Sequence, residues 1–364
     1  MALTDHLRAG ELAGWFARRM PGSAAVAGQV AAAAATVAPV RPAGGRRVGA
    51  RHWAEVGGAF GMRLAALVQQ APPYFGLLAL VGNGLLSARA AAEIAAGYPS
   101  HRGLDPGDAA HALQLHPSRA GWITGTSVTA SITCQGWADA GLADLAARTH
   151  AYHDQHAPTG CVGTPGAEHG LAPSYGAWSA MEDLYRSGTV SEDLRRLLGG
   201  PPPTAGDFRK IVAPAVTEEL PALATRLHAS GALARLRALA GDPPPGTALG
   251  IAAPIFVEHW ADGDVLVGDT LIEVKTVLRA DDVHRTCRWL WQVLSYAWLD
   301  SAADRYGIRA VGLYLARHGV LLRWETDELV SLMVGGRADI TALRQEFLAA
   351  ASRAATLDGA VPRG

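Results

Sequence analysis

The sequence predicts an α/β protein, a mixed sheet flanked by helices and interrupted by a large, mainly α-helical insertion. Three observations carry this reading. Residues 250–325 contain short runs rich in Val, Leu and Ile, with one amphipathic helical segment between them, which is the pattern of strands joined by a crossover helix. Residues 71–249 instead show helical spacing with Ala, Leu and Arg, broken by Gly/Pro-rich stretches near 157–175, 200–206 and 242–247. At 364 residues the chain is long enough for two or three domains and a large core.

The sheet is built around Asp262–Thr276, DGDVLVGDTLIEVKT. Two apolar runs flank Gly268-Asp269, a two-residue loop typical of tight hairpins. With that loop Val267 faces Thr270, Asp264 faces Glu273, and Asp262 faces Lys275. Side chains alternate along a strand, so Asp264, Leu266, Leu271, Glu273 and Lys275 share one face. Opposed carboxylates with Cβ atoms about 5 Å apart repel. A divalent cation relieves that repulsion, and Mg²⁺ is commonly held by one or two carboxylates together with substrate phosphate oxygens. A lysine two residues on points into the same place, where it can orient a water or stabilise phosphate charge. The chain has only two lysines, Lys210 and Lys275, against thirty arginines, so a compact ammonium at this position stands out. A plain cross-strand pair between Lys275 and Asp262 is the bland alternative.

The next predicted helix, capped by Asp281 or Asp282, carries Arg285, Arg288, Gln292 and Tyr296 three or four residues apart on one stripe. Two arginines, an amide and a phenol suit phosphate and base contact; a solvated face is the alternative. Leu290, Leu294 and Ala297 lie off that stripe, toward the sheet. Trp289, Trp291 and Trp298 read as core or interface rather than base-stacking groups. Two further strands at 308–315 and 319–324 meet at a tight turn, Arg317-His318, and 326–357 reads as one or two terminal helices.

The ordered set Asp264, Glu273-Val274-Lys275 and Gln292-x-x-x-Tyr296 resembles the PD-(D/E)XK nuclease superfamily, in particular its RecB-like branch, over about 75 residues (250–325). Gly263 stands where the motif name has proline. A weaker match of about 20 residues lies in the helical segment 51–70, where the usual G-x-x-x-H reads Gly57 to Gly61 and the histidine is absent. Glu55 or Arg63 would have to take its place. The resemblance implies a discontinuous nuclease domain, 50–70 and 250–325, with an N-terminal helix and linker at 1–49, a helical insertion at 71–249 and C-terminal helices at 326–364. It implies Mg²⁺ or Mn²⁺ on Asp264, Glu273 and the Val274 backbone carbonyl, and Lys275 acting on the attacking water. Gln292 and Tyr296 would hold substrate or brace the site. The expected substrate is nucleic acid, DNA before RNA, in a setting such as antiphage defence or DNA repair. A catalytically silent scaffold that binds nucleic acid or a partner protein is the rival. Glu258 is either a further acid at the site or a solvent-face charge.

The rest of the chain sets bounds. A net charge of −1 gives no global attraction to nucleic acid, so contact must come from local basic patches. Arg41, Arg46, Arg47 and Arg51 cluster among glycines and read first as a solvated loop. Within the insertion, predicted helices cover 74–97, 106–115, 136–155, 176–199 and 207–240, a candidate substrate clamp or protein-binding surface. His150, His153, His156, Cys161 and His169 lie within twenty residues but fit no zinc motif, and a polar helix end explains them more simply. Three scattered cysteines, Cys134, Cys161 and Cys287, suit a reducing cytoplasm and exclude a four-cysteine cluster. With neither a signal-peptide pattern nor a strongly apolar span of about 20 residues, a soluble cytoplasmic protein is expected.

Overall fold

The computed structural model describes residues 2–360 except 44, 46, 47, 103, 105–111, 120, 125–135 and 189. The chain forms two compact units: Met1–Pro39, Ser118–Gly121 and Ala253–Gly364 in one, Val40–Pro117 and Trp122–Ala252 in the other.

Four strands of a mixed sheet lie in the first unit, ordered Val265–Val267, Thr270–Lys275, Ala310–Leu315 and Val320–Glu325. The first pair is the expected hairpin in the expected register: Val265 faces Ile272, Leu266 faces Leu271 and Val267 faces Thr270. Its turn places a φ of 59° on Gly268, a backbone that glycine adopts without penalty. Thr270–Lys275 then pairs in parallel with Ala310–Leu315. A parallel pair needs a crossover, and the helix Val283–Asp300 supplies it. Asp282 caps that helix, its carboxylate accepting from the Arg285 amide at 3.0 Å. Leu290, Val293, Leu294 and Ala297 bury its sheet-facing side. The Ala310–Leu315 strand is buried throughout, as its unbroken apolar sequence requires. Gly312 within it leaves room for the neighbouring strand, since a Cβ there would sit 2.7 Å from the Leu322 carbonyl oxygen. The closing antiparallel strand returns through residues 316–319, with both Arg317 and His318 buried in the turn.

Two sequence expectations need adjusting. The stretch 21–47 reads as a linker or a loosely packed helix, with a possible alanine helix at 29–36; the structure forms a longer helix there, Ser23–Ala35, which buries Val26, Ala27, Val30 and Ala34 and packs on Val283–Asp300. Small side chains concealed it, because an Ala/Gly/Val run shows little periodicity yet allows close helix approach. The run IAAPIFVEHW, 251–260, reads as one strand leading into the acidic hairpin, but it is not one strand. Pro254 has no N–H to donate and Ala253 has φ 47°, so the strand breaks there and Ile255–Val257 pairs separately with Ala261–Asp262. Asp262 therefore faces Ile255, and not Lys275.

An aromatic cluster ties the chain ends to the crossover helix. Phe16 in the helix Glu11–Arg19 stacks on Trp291 at 5.3 Å and touches Phe347 of the C-terminal helix Ile340–Leu357. Trp15 meets Trp298 edge-on at 6.0 Å, and the Trp291 indole N–H donates to Ser23 Oγ at 3.0 Å. All three tryptophans of the crossover helix thus serve packing, and Trp289 and Trp298 are buried.

The second unit is mainly helical, as the insertion composition predicts, with helices Ala50–Val68, Tyr74–Gly82, Ala88–Ala96, Asp139–His156, Pro165–Ser187, Glu192–Leu198, Ala205–Lys210, Pro214–Ala229 and Ala232–Leu239 among the described residues. The expected helix 74–97 breaks at Gly82-Asn83-Gly84 and restarts at the Ser87 cap. The Gly/Pro-rich stretch 157–175 is helical from Pro165, where proline suits the first turn and Thr164 caps it. Of the expected helix 106–115, residues 106–111 lie outside the described residues, Ala112–Gln114 is a single 3₁₀ turn, and Leu115–Ser118 is extended. Arg46, Arg47 and Cys134 also lie outside them.

Ala50–Val68 packs on Pro165–Ser187 and Pro214–Ala229 and belongs to the second unit. Arg63 is buried there and grips Glu168 with two hydrogen bonds, 2.8 and 2.7 Å, while also donating to the Cys161 carbonyl. The Gly163 amide donates to the same carboxylate at 2.7 Å. His153 lies between Gln70 and Arg63, His150 packs edge-on against Tyr98, and His156 rests on Tyr152. His150 and His153 are thus engaged in packing while His156 and His169 are exposed, and no group of metal ligands gathers among the described residues. No described helix is long and apolar enough to cross a membrane.

Two predictions follow from this packing. Phe16→Ala removes a fully buried ring and should cost about 3–5 kcal/mol in urea unfolding. Burial also pushes His150 down to about 4 and, with Arg63 beside it, His153 down to about 3. Their unfolded value is about 6.5, so below that pH the unfolded chain binds more protons than the folded one. Stability should fall as pH drops from about 6.5 toward about 3, seen as a falling Tm, and His150→Phe should flatten the part of the fall above about 4.

Candidate active site

The acidic hairpin and the crossover helix build one polar cluster within the first unit. The hairpin register fixes Glu273 and Lys275 on the same face of their strand, and the helix lies over that face. Lys275 Nζ donates to Glu273 Oε1 at 2.6 Å and to Gln292 Oε1 at 3.3 Å. Gln292 Nε2 donates in turn to the Tyr296 hydroxyl oxygen at 2.9 Å. A four-residue helical spacing therefore turns one amide so that its oxygen meets the ammonium and its nitrogen meets the phenol. The Glu273 and Lys275 side chains are 6% and 16% exposed, so this pair is largely withdrawn from water.

Asp264 just precedes its strand, and one carboxylate oxygen accepts from the Val274 amide at 2.6 Å. That bond pins Asp264 to the residue between Glu273 and Lys275. The Ala253 amide donates to the Asp264 carbonyl and the Gly263 amide to the Pro254 carbonyl, which fixes the approach to the hairpin. Gly263 is close-packed: a Cβ there would lie 3.0 Å from Leu271 and 3.2 Å from Phe256.

Tyr296 is buried, and its ring stacks on Phe256 at 5.2 Å. Burial first, then the Glu273, Asp262 and Asp264 carboxylates, hold its phenol well above the ordinary value, against a smaller opposing effect of the Gln292 hydrogen bond. The phenol therefore stays neutral, and three carboxylates act on it together. Asp262 is the member that sequence reasoning missed. Its position two residues before Asp264 was visible, but its placement depends on the break at Pro254 and the pairing with Ile255, which strand alternation does not foresee.

Arg285 lies one turn before Trp289 on the crossover helix. Its guanidinium sits 5.4 Å from the Trp289 ring centroid, and the Lys275 ammonium sits 5.9 Å from the same ring. Both distances are within cation–π range. Arg285 Nη2 donates to the Arg279 carbonyl. Arg288 is half-buried on the same helix. Glu258, by contrast, is in the turn after Val257, 3.4 Å from His259 Nε2, and is not on a strand.

The oxygen donors of this cluster are hard and negative, which suits Mg²⁺ or Mn²⁺. No group of three His, Cys, Asp or Glu side chains that could hold a metal gathers among the described residues. Two carboxylates completed by backbone and substrate oxygens remain a common Mg²⁺ arrangement. The weakly matched helical residues Glu55 and Arg63 lie in the second unit, bound respectively to Arg51 at 2.6 Å and to Glu168. Comparisons with protein-family models, with curated proteins and with solved structures returned no match.

Proposed function

We propose that the chain is a metal-dependent nuclease that hydrolyses phosphodiester bonds of nucleic acid, with DNA favoured, and that the hairpin and crossover helix of the first unit form its active site. The observation that carries this reading is the convergence of Asp264, Glu273 and Lys275 on one hairpin, with Lys275 held by Gln292 from the helix above.

On this reading Asp264 and Glu273, with the Val274 carbonyl, hold Mg²⁺ or Mn²⁺, which supplies Lewis-acid stabilisation of phosphate charge and a more acidic water. Lys275 does the work of position and charge. Its ammonium is oriented by Glu273 and Gln292, so one remaining N–H is available to a water or a phosphate oxygen. The neutral Tyr296 phenol, braced by Phe256, keeps Gln292 turned toward Lys275. An arginine at 275 would not substitute, since a planar fork cannot meet Glu273 and Gln292 as a compact ammonium does. A catalytically silent scaffold is the second reading; the glycine at position 61, where the resembled family carries histidine, favours it.

The test is cleavage of labelled single-stranded DNA, double-stranded DNA and RNA with Mg²⁺, Mn²⁺ or EDTA. We expect metal-dependent cleavage that falls by about 10²–10³ in Lys275→Ala, the usual size for losing one preorganised charge-stabilising group. Mg²⁺ should also raise the Tm of the native chain but not of Asp264→Ala. No cleavage of any substrate, together with no metal-induced stabilisation, would overturn the reading in favour of the scaffold.

A further inference from the structure

We propose that Arg285, seated on Trp289 beside Lys275, is a second phosphate-binding position that takes the backbone phosphate adjoining the one at Lys275. This rests on the nuclease reading above and extends it from the reacting group to the neighbouring length of strand.

Three observations point here. Arg285 Nε is buried and has no hydrogen-bond partner. An orphaned buried donor of this kind is costly, and each such group calls for an explanation. A phosphate oxygen is the acceptor that suits a guanidinium edge best. Second, the guanidinium is immobilised, since Trp289 lies beneath it and the Arg279 carbonyl accepts from Nη2. A preset arginine loses little rotamer freedom when it binds. Third, the same indole carries the Lys275 ammonium, so one buried ring holds two cations in a fixed relation.

Two like charges on one aromatic ring gain nothing from each other, and the ring attraction offsets their repulsion only in part. A run of backbone phosphates, with one negative charge per nucleotide, matches such a pair of cations. Trp289 is 8% exposed, which removes base stacking as its role and leaves it as the spacer between them. The Asp281 and Asp282 carboxylates act on Arg285 through space, but neither accepts from its guanidinium: Asp282 accepts from the backbone amide as the helix cap, and Asp281 accepts from Arg279.

Binding of a fluorescein-labelled single-stranded oligodeoxynucleotide in EDTA, over a range of salt, tests this without any cleavage. Arg285→Gln should bind about tenfold more weakly, as expected for losing one charge-assisted contact. Its slope of log affinity against log salt should shrink by about 0.7, the value for one phosphate contact on a single strand. Arg285→Lys should keep the native slope, because it keeps the charge. Arg337→Gln, the same charge change at an exposed loop position, controls for net charge. A slope in Arg285→Gln equal to that of Arg337→Gln overturns the proposal, even if affinity falls, because packing on Trp289 would then be the cause. Inorganic phosphate competing as well as the oligonucleotide also overturns it, since a free-anion site would suffice. A native chain that binds no oligonucleotide in EDTA also overturns the proposal, whereas the nuclease reading stands or falls on Lys275-dependent cleavage and metal-induced stabilisation.

Discussion

The register of the acidic hairpin is the constraint on which the rest of the site depends. A slip of one residue would send every side chain to the opposite face. Glu273 and Lys275 would leave the crossover helix, and the branched residues Ile272 and Val274 would replace them. Two features hold the register. The glycine at 268 accepts the positive φ that closes a two-residue loop, and the Asp264 carboxylate ties itself to the Val274 amide at the open end. The hairpin is clamped at both ends, and only three cross-strand pairs lie between.

The polar cluster is tolerable in so apolar a setting because each group has a partner. A carboxylate at the burial of Glu273 would be expensive alone, and a buried pair contributes stability only where geometry is good and remaining donors are satisfied. Lys275 meets that condition by dividing its N–H groups between Glu273 and Gln292, and Gln292 meets it through Tyr296. The arrangement favours specificity of position over stability. Removing any one member leaves a buried donor or acceptor unpaired, so the cluster holds one geometry or is disrupted.

Much of this was legible in the sequence, and the reasons differ by element. The hairpin was readable because turn chemistry and alternation are local rules that a glycine and two apolar runs satisfy at once. The Gln292–Tyr296 link was readable because helical spacing places residues four apart on one side. What escaped were features set by neighbours distant in sequence. Ser23–Ala35 showed only a possible alanine helix at 29–36, because alanine serves equally inside and outside, and its role is fixed by Trp291 and the crossover helix it packs on. The strand break at Pro254 was in plain sight, yet its consequence, Asp262 turned away from Lys275, depends on which strand Ile255 chooses. The helix Ala50–Val68 packs on Pro165–Ser187 and Pro214–Ala229, partners far along the chain that spacing within the helix does not reveal.

The crossover helix shows how one element meets packing and chemistry together. Its sheet side is Leu290, Val293, Leu294 and Ala297; Trp291 stacks on Phe16; and Gln292 and Tyr296 reach the hairpin. With its surroundings so fully specified, the helix cannot rotate without breaking the aromatic cluster that ties down both chain ends. The Lys275–Gln292 contact is therefore braced by groups such as Phe16 and Phe347 that never touch the polar cluster. It follows that damage to the N-terminal helices should loosen the site through the crossover helix, because the amide of Gln292 can face Lys275 only where the backbone beneath it stays still.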